Sequence, residues 1–176
     1  MATAVAQDRL VKRFEKWDTD NNGVLEVSDF VTEAAKIASA FGENPDSAKG
    51  AQLRDGFIAM FGLLAAKAGV AEQGPLSRTQ FLQAAGEVVE GGAATFNPVL
   101  GPVTKGIVAL ADKDNDGVID EAEFAVWLKA IGLGEKEGRA AFQQIDADGS
   151  GTLSEAELLD AVRQFHTGEL DVELLG

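Results

Sequence analysis

Apolar residues recur every three or four positions along most of the chain, which predicts amphipathic α-helices rather than strands. The first stripe contains Leu10, Phe14 and Trp17, and the apolar spacing resumes after a short polar segment. Further stripes are formed by Phe30, Ala34, Ile37 and Phe41, by Val103, Ile107 and Leu110, by Phe124, Leu128 and Ile131, by Phe142 and Ile145, and by Leu158, Val162 and Phe165. The pattern therefore predicts an all-α fold made of helix–loop–helix units.

Three of the polar segments between the helices share one internal order. We name them loop I (18–29), loop III (112–123) and loop IV (146–157). Each has oxygen-bearing side chains at positions 1, 3 and 5, glycine at position 6 and a carboxylate at position 12. An apolar residue follows at position 13, where the buried face of the next helix would start. This spacing is that of the calcium loop in an EF-hand.

The spacing has a chemical reason. Calcium takes six to eight oxygen ligands, and a tight loop that turns alternate side chains inward supplies three of them, while glycine permits the turn that presents the carbonyl of position 7. Position 12 closes the shell, and position 9 acts through water. The expected ligands are Asp18, Asp20, Asn22, Val24 (carbonyl) and Asp29 in loop I; Asp112, Asp114, Asp116, Val118 (carbonyl) and Glu123 in loop III; and Asp146, Asp148, Ser150, Thr152 (carbonyl) and Glu157 in loop IV, with Glu26, Asp120 and Ser154 at position 9.

The distribution of charge supports cation binding. The chain carries 29 Asp and Glu against 15 Lys and Arg, a formal charge of −14. Fourteen of the acids and one base lie in the three loops, so the other 140 residues are almost balanced. Such clusters of like charge require neutralisation. The same charge argues against binding to nucleic acid or to an anionic membrane surface, both of which attract cationic proteins.

A fourth loop lacks the ligands. The segment 69–80, named loop II, keeps Gly74 at position 6 and Leu76 at position 8 when Phe81 is aligned as position 13. It has Gly69 at position 1, and Ala71 and Gln80 occupy positions 3 and 12. We expect an EF-hand that has kept its fold and lost its metal.

EF-hands bury their helices in pairs, so four hands predict two paired lobes in a compact globule. Leu25 should pair with Leu76, and Ile119 with Leu153. The predicted lobes are residues 1–92 and 99–168, joined by the Gly- and Pro-rich segment 91–98. Residues 169–176 form a tail that either frays or folds back into a groove between the lobes.

The whole chain resembles the sarcoplasmic calcium-binding protein family. The resemblance is carried by the four hands with a degenerate second loop, the long first lobe, the segment Leu100-Gly-Pro-Val-Thr-Lys-Gly-Ile-Val108 and the tail Leu170-Asp-Val-Glu-Leu-Leu-Gly176. It implies a compact helical protein with three metal sites that buffers or carries calcium. Asp29 departs from the commoner Glu at position 12, so loop I is expected to bind calcium less tightly or to favour magnesium.

Two other function classes are weighed against a calcium buffer. A calcium sensor would open a Met-rich groove for a target helix, and the chain has only Met1 and Met60. An enzyme is disfavoured because the chain has no Cys, a single histidine, His166, and neither a nucleophile elbow nor a phosphate loop. His166 is expected to face solvent or pack against the tail.

The environment of the protein is predicted from the same sequence. The N-terminal residues lack the pattern of a secretory signal, and the longest apolar run has ten residues where a bilayer span needs about twenty. We therefore expect a cytoplasmic monomer that binds calcium ions and has no obligatory protein partner.

Overall fold

The computed structural model describes residues 2–175, without the side chain of Glu135. Eight α-helices and two short strands follow one another along this part of the chain. They are α1 (Ala4–Trp17), β1 (Val24–Leu25), α2 (Val27–Ala40), α3 (Ala48–Ala68), β2 (Leu76–Ser77), α4 (Arg78–Glu90), α5 (Ala93–Ala111), α6 (Glu121–Ala130), α7 (Glu135–Ile145) and α8 (Glu155–Thr167). The predicted all-α class is confirmed.

The predicted pairing of the loops is also confirmed. Strands β1 and β2 are antiparallel, with Leu25 opposite Leu76. In the second pair, Ile119 and Leu153 exchange two backbone hydrogen bonds of 2.8 and 2.7 Å. All four side chains are fully buried. Loop II thus occupies the place of an EF-hand loop beside loop I.

The helix that follows each loop starts with the same hydrogen bond. The side chain at position 12 accepts the backbone N–H of position 9, which is the N-cap of the helix, so one of the unpaired N–H groups of the first turn is satisfied. The distances are 2.8 Å for Glu26 to Asp29, 3.0 Å for Ser77 to Gln80, 3.1 Å for Asp120 to Glu123 and 2.9 Å for Ser154 to Glu157. Position 12 therefore shapes the fold in loop II as well, where the residue at that position is Gln80 and not a carboxylate.

The linker predicted over 91–98 is largely wrong. Only Gly91 and Gly92 separate α4 from α5, because α5 starts at Ala93 and runs through Pro98 and Pro102. A proline inside a helix removes a hydrogen bond and costs about 3 kcal/mol. The cost is offset by packing, because the segment buries the stripe of α5 formed by Phe96, Val99, Leu100 and Val103.

The two predicted lobes share one hydrophobic core. Helix α3 of the first half crosses α5 of the second half closely enough that glycine is needed at the contact. A Cβ on Gly56 would lie 2.6 Å from the carbonyl oxygen of Pro102, and one on Gly106 would lie 2.7 Å from the Cα of Leu53. Buried residues from both halves form a single cluster. The division of the chain into lobes 1–92 and 99–168 stays a prediction.

The tail folds back onto the core up to Leu175, the last residue that the structure describes. Leu174 and Leu175 are each 1% exposed. The nearby His166 is also buried, so a solvent-facing His166 is wrong, and its Nδ1 lies 2.7 Å from the carbonyl oxygen of Val162. Burial, followed by the positive charge of Arg13, lowers the pKa of His166 to about 4. The imidazole is therefore neutral at physiological pH.

Candidate metal centres

Loops I, III and IV have the same backbone shape. The glycine at position 6 has a φ of 84° in Gly23, 85° in Gly117 and 82° in Gly151. Position 4 is also left-handed, with a φ of 56° in Asn21, 58° in Asn115 and 63° in Gly149. Asn and Gly are the residues that adopt this conformation at least cost, so their presence at position 4 is a further sequence signal of the loop.

The carboxylate at position 1 is held in the same way in all three loops. One oxygen accepts the N–H of position 5, and the other accepts the N–H of position 6. The distances to Asp18 are 3.0 and 2.9 Å, those to Asp112 are 3.2 and 2.9 Å, and those to Asp146 are both 3.0 Å. Position 1 is thereby fixed at the centre of each loop.

Positions 3 and 5 form further turns of the Asx and Ser/Thr kind. The carboxylates of Asp20, Asp114 and Asp148 accept the N–H of the residue two places on, at 3.0–3.2 Å. At position 5, Asn22 and Asp116 each accept the N–H of position 7 at 3.0 Å. Ser150 accepts the N–H of Thr152 at 3.3 Å and donates to its carbonyl oxygen at 2.8 Å. The side chains at positions 3 and 5 are thus held by the backbone of their own loop.

The residues at position 12 reach back over the loop. In loop III, Glu123 accepts the N–H of Lys113 at 2.8 Å. In loop I the shorter Asp29 accepts both the N–H and the hydroxyl of Thr19, at 3.1 and 2.9 Å. Asp29 is only 2% exposed. Thr19 at position 2 is a contact that the EF-hand spacing does not indicate.

The structure brings three of the expected ligands together in each loop. In every set, one oxygen from each residue lies within 4.8 Å of the others. The sets are Asp18, Asp20 and Asp29; Asp112, Asp114 and Glu123; and Asp146, Asp148 and Glu157. Two oxygens on opposite sides of one calcium ion lie at most about 5 Å apart, twice the longest Ca–O distance, so the sets fit a single ion. The loop III set does not include Asp116.

Loops III and IV differ in the crowding of their carboxylates. The pKa of Asp114 is raised by desolvation and by its acidic neighbours Asp112, Asp116 and Glu123, although a hydrogen bond from the N–H of Asp116 opposes the rise. The pKa of Asp148 is lowered by hydrogen bonding to Ser150, whose backbone N–H donates at 3.0 Å. Loop III therefore holds negative charge at a higher electrostatic cost than loop IV does.

The comparisons with known proteins agree with this geometry. Residues 116–164 match the family model described as an EF-hand domain pair. Over its whole length the chain is 50% identical to the whole of calerythrin from Saccharopolyspora erythraea. The chain belongs to the calerythrin family. Members of the calerythrin family are EF-hand calcium-binding proteins, and this chain is one of them.

Solved structures of other proteins share the fold of this chain over more than nine-tenths of its length. A calcium-binding protein of Streptomyces coelicolor is 28% identical, with a TM-score of 0.71 over 92% of this chain and 98% of that chain. Calcium-loaded apo-aequorin from Aequorea victoria gives a TM-score of 0.75 over 94% of this chain and 92% of that chain. At 17% identity the aequorin likeness shows the fold alone.

Proposed function

We propose that this calerythrin-family protein is a cytoplasmic, monomeric calcium buffer that holds three ions, one each in loops I, III and IV. The proposed ligands are the fifteen residues predicted from the spacing. Hydrogen bonds within each loop orient the carboxylates at positions 1, 3 and 12 before an ion arrives. Each calcium ion brings two positive charges, so three ions would change the formal charge from −14 to −8. The loss of repulsion should stabilise the loaded fold.

The observation that carries the buffer proposal is the position of the tail. The indole N–H of Trp127, on α6, donates to the carbonyl oxygen of Leu174 at 2.9 Å. Leu174 and Leu175 are buried in the same apolar core as Trp127. A sensor needs such a surface free for a target helix. Here the protein's own tail covers it.

Two ion pairs fasten the tail to α1. Arg13, which is 3% exposed, pairs with Glu173 at 2.5 Å, and Arg9 pairs with Asp171. Arg9 also donates to the carbonyl oxygens of Phe165 and Leu170. Removal of one partner of a buried Arg–carboxylate pair destabilises a fold by several kcal/mol. These ion pairs therefore hold the tail in addition to its apolar contacts.

The remaining surface offers little apolar area for a target. Among the described residues, the large hydrophobic side chains that are exposed are Val5, Val31, Leu63 and Val126. They belong to four different helices. Scattered apolar residues of this kind are normal for a protein surface and do not mark a binding groove. Within residues 2–175 no helix is both long and apolar enough to cross a bilayer.

A calcium sensor is the second candidate, favoured by one comparison. The Streptomyces coelicolor structure is described as a basis for prokaryotic calcium-mediated regulation. Regulation of a partner by this chain would require the tail to leave Trp127 when calcium binds. The two candidates therefore predict opposite movements of the same segment.

A titration with a hydrophobic dye separates the two. Calcium is added to the full chain in about 1 mM magnesium, a background chosen because EF-hand buffers bind both ions. The buffer proposal predicts low dye fluorescence throughout the binding of three ions. A matched variant ending at Gly168 should expose the groove and raise the fluorescence. A sharp calcium-dependent rise in the full chain would overturn the buffer proposal and support the sensor.

A further inference from the structure

The junction between the two halves brings the end of α2 next to loop III. Lys113, at position 2 of loop III, donates from Nζ to the carbonyl oxygen of Phe41 at 3.4 Å. Phe41 is the C-cap of α2, the helix that starts in loop I. The backbone N–H of the same Lys113 donates to the position-12 carboxylate of Glu123. One residue thus contacts both a candidate ligand of loop III and the far end of the helix from loop I.

A second lysine makes the reciprocal contact. Lys49, in the first turn of α3, donates from Nζ to the carbonyl oxygen of Asp112 at 3.1 Å. Asp112 is the C-cap of α5 and position 1 of loop III. Each half of the chain therefore supplies a lysine to a helix C-terminus of the other half. The last carbonyls of a helix lack intrahelical partners and lie at the negative end of the helix dipole, so a lysine there is favourable.

Aromatic packing lies beside these two contacts. The ring of Phe41 meets the ring of Trp127 edge-on, with centroids 6.5 Å apart. Trp127 is fully buried on α6, the helix that follows loop III. Phe41 thus links the end of α2 to loop III through Lys113 and to α6 through Trp127, while Lys49 links α3 to the start of loop III. We name Phe41, Lys49, Lys113 and Trp127 the junction cluster.

We propose that Lys49 and Lys113 are positioning residues that couple ion binding in loop I to ion binding in loop III. The proposal rests on the proposed function, because it takes Asp29 and Glu123 as ligands. Asp29 lies in the first turn of α2, so an ion that binds its carboxylate fixes the start of that helix. The far end of α2 is held against loop III by the junction cluster. By linkage, the coupling acts equally in both directions.

Because loop II lacks the ligands, loop I can couple only to an ion site outside its own pair. Paired EF-hand loops contact each other through their short strands, as loops I and II do through β1 and β2. Loop II has no carboxylate at positions 1, 3 or 12, so loop I has no ion-binding partner within its own pair. The junction cluster connects loop I instead to a loop whose candidate ligands are complete.

The test compares calcium affinities with loop I intact and with loop I blocked by Asp29→Asn. The amides of Gly23, Gly117 and Gly151 each donate to the position-1 carboxylate of their own loop, so NMR shifts of these amides report the three sites separately. With Lys49 and Lys113 present, Asp29→Asn should weaken calcium binding to loop III, as reported by Gly117, about fivefold or more, which is the lower end of typical couplings. In the Lys49→Met/Lys113→Met background, Asp29→Asn should change the calcium affinity of loop III by less than about twofold.

The controls separate coupling from loss of charge. Lys105→Met/Lys136→Met removes the same two charges from exposed positions of α5 and α7 and should leave the coupling at its wild-type value. Lys49→Arg/Lys113→Arg should restore it. In calcium-free protein, hydrogen exchange at Gly42 and Glu43, next to Phe41, should be faster in Lys49→Met/Lys113→Met than in Lys105→Met/Lys136→Met.

Three results would overturn the proposal. If Asp29→Asn weakens calcium binding to loop III equally with and without the two lysines, the coupling does not pass through them. If Asp29→Asn leaves the calcium affinity of loop III unchanged when both lysines are present, no coupling exists. A calcium response of Gly23 that survives Asp29→Asn would refute the ligand assignment itself, and the coupling with it.

Discussion

In the pair of loops I and II, only loop I carries carboxylates at positions 1, 3 and 12, whereas both loops of the pair III and IV carry them there. The two pairs are nevertheless built alike. Each buries one apolar side chain per loop at the short strand contact, and each starts its following helices with the bond from position 9 to position 12. Position 12 thus serves the hand in all four loops, whereas the candidate ion sites also need carboxylates at positions 1, 3 and 12.

Loop II shows which features the hand needs. Gly74 keeps a positive φ of 90°, and Ser77 and Gln80 form a complete capping box at the start of α4. Leu76 pairs with Leu25 in β-structure. These features orient two helices without a charged group, so a loop can lose its ligands while its neighbour keeps a folded partner.

The largest expected effect comes from exchanging the group at position 12 between the pairs. Glu123→Gln removes the carboxylate that closes loop III, and calcium affinity there should fall by more than the roughly 10–100-fold typical of losing an outer-shell partner. The matched variant Gln80→Glu adds that carboxylate to loop II. It should bind no fourth ion, because Gly69 and Ala71 supply no side-chain oxygen at positions 1 and 3. Isothermal titration calorimetry measures both, and a fourth ion in Gln80→Glu would break the comparison.

A smaller effect is expected within loop I. Asp29→Glu lengthens the carboxylate by one methylene, which should allow bidentate binding of calcium and raise its selectivity over magnesium at loop I. Thr19→Val removes a hydroxyl that holds Asp29, a hydrogen bond to a charged group worth about 1.5–3 kcal/mol, so ion affinity at loop I should fall roughly tenfold or more. Competition titrations that follow Gly23 test both variants. Unchanged calcium-to-magnesium selectivity in Asp29→Glu would contradict the expectation.

The smallest effect distinguishes loop III from loop IV by pH. Asp114 has a raised pKa in the fold, so its contribution to apo-protein stability is present at low pH and is lost as pH rises through that pKa. Asp148 has a lowered pKa, so its contribution is present above the unfolded value and is lost as pH falls through the folded one. On acidification, protons should therefore displace calcium from loop III before loop IV. Following the amides of Gly117 and Gly151 as the pH is lowered from neutrality tests this order, and loss of calcium from loop IV before loop III would contradict it.

Much of the fold and of the candidate sites follows from local sequence rules. The helices could be predicted from the apolar stripes, and the strand contacts of Leu25 and Ile119 from position 8 of the loops. The loops themselves could be located because glycine and carboxylates at fixed spacings have few structural alternatives.

The remaining features depend on contacts between distant residues. Pro98 suggests a linker by itself, and only the buried stripe around Phe96 explains why the segment is helical. The tail contact with Trp127 spans 47 positions, and the lysine contacts of the junction cluster span 63 and 72. Local periodicity contains no signal for such pairs.

The most direct test of the account is the number of ions that one chain binds. Native mass spectrometry of the full chain at saturating calcium should show three ions, and the Glu123→Gln variant should show two at a calcium concentration that just fills the wild type. A wild-type chain that holds two or four ions would contradict the assignment of metal to loops I, III and IV and of an ion-free hand to loop II.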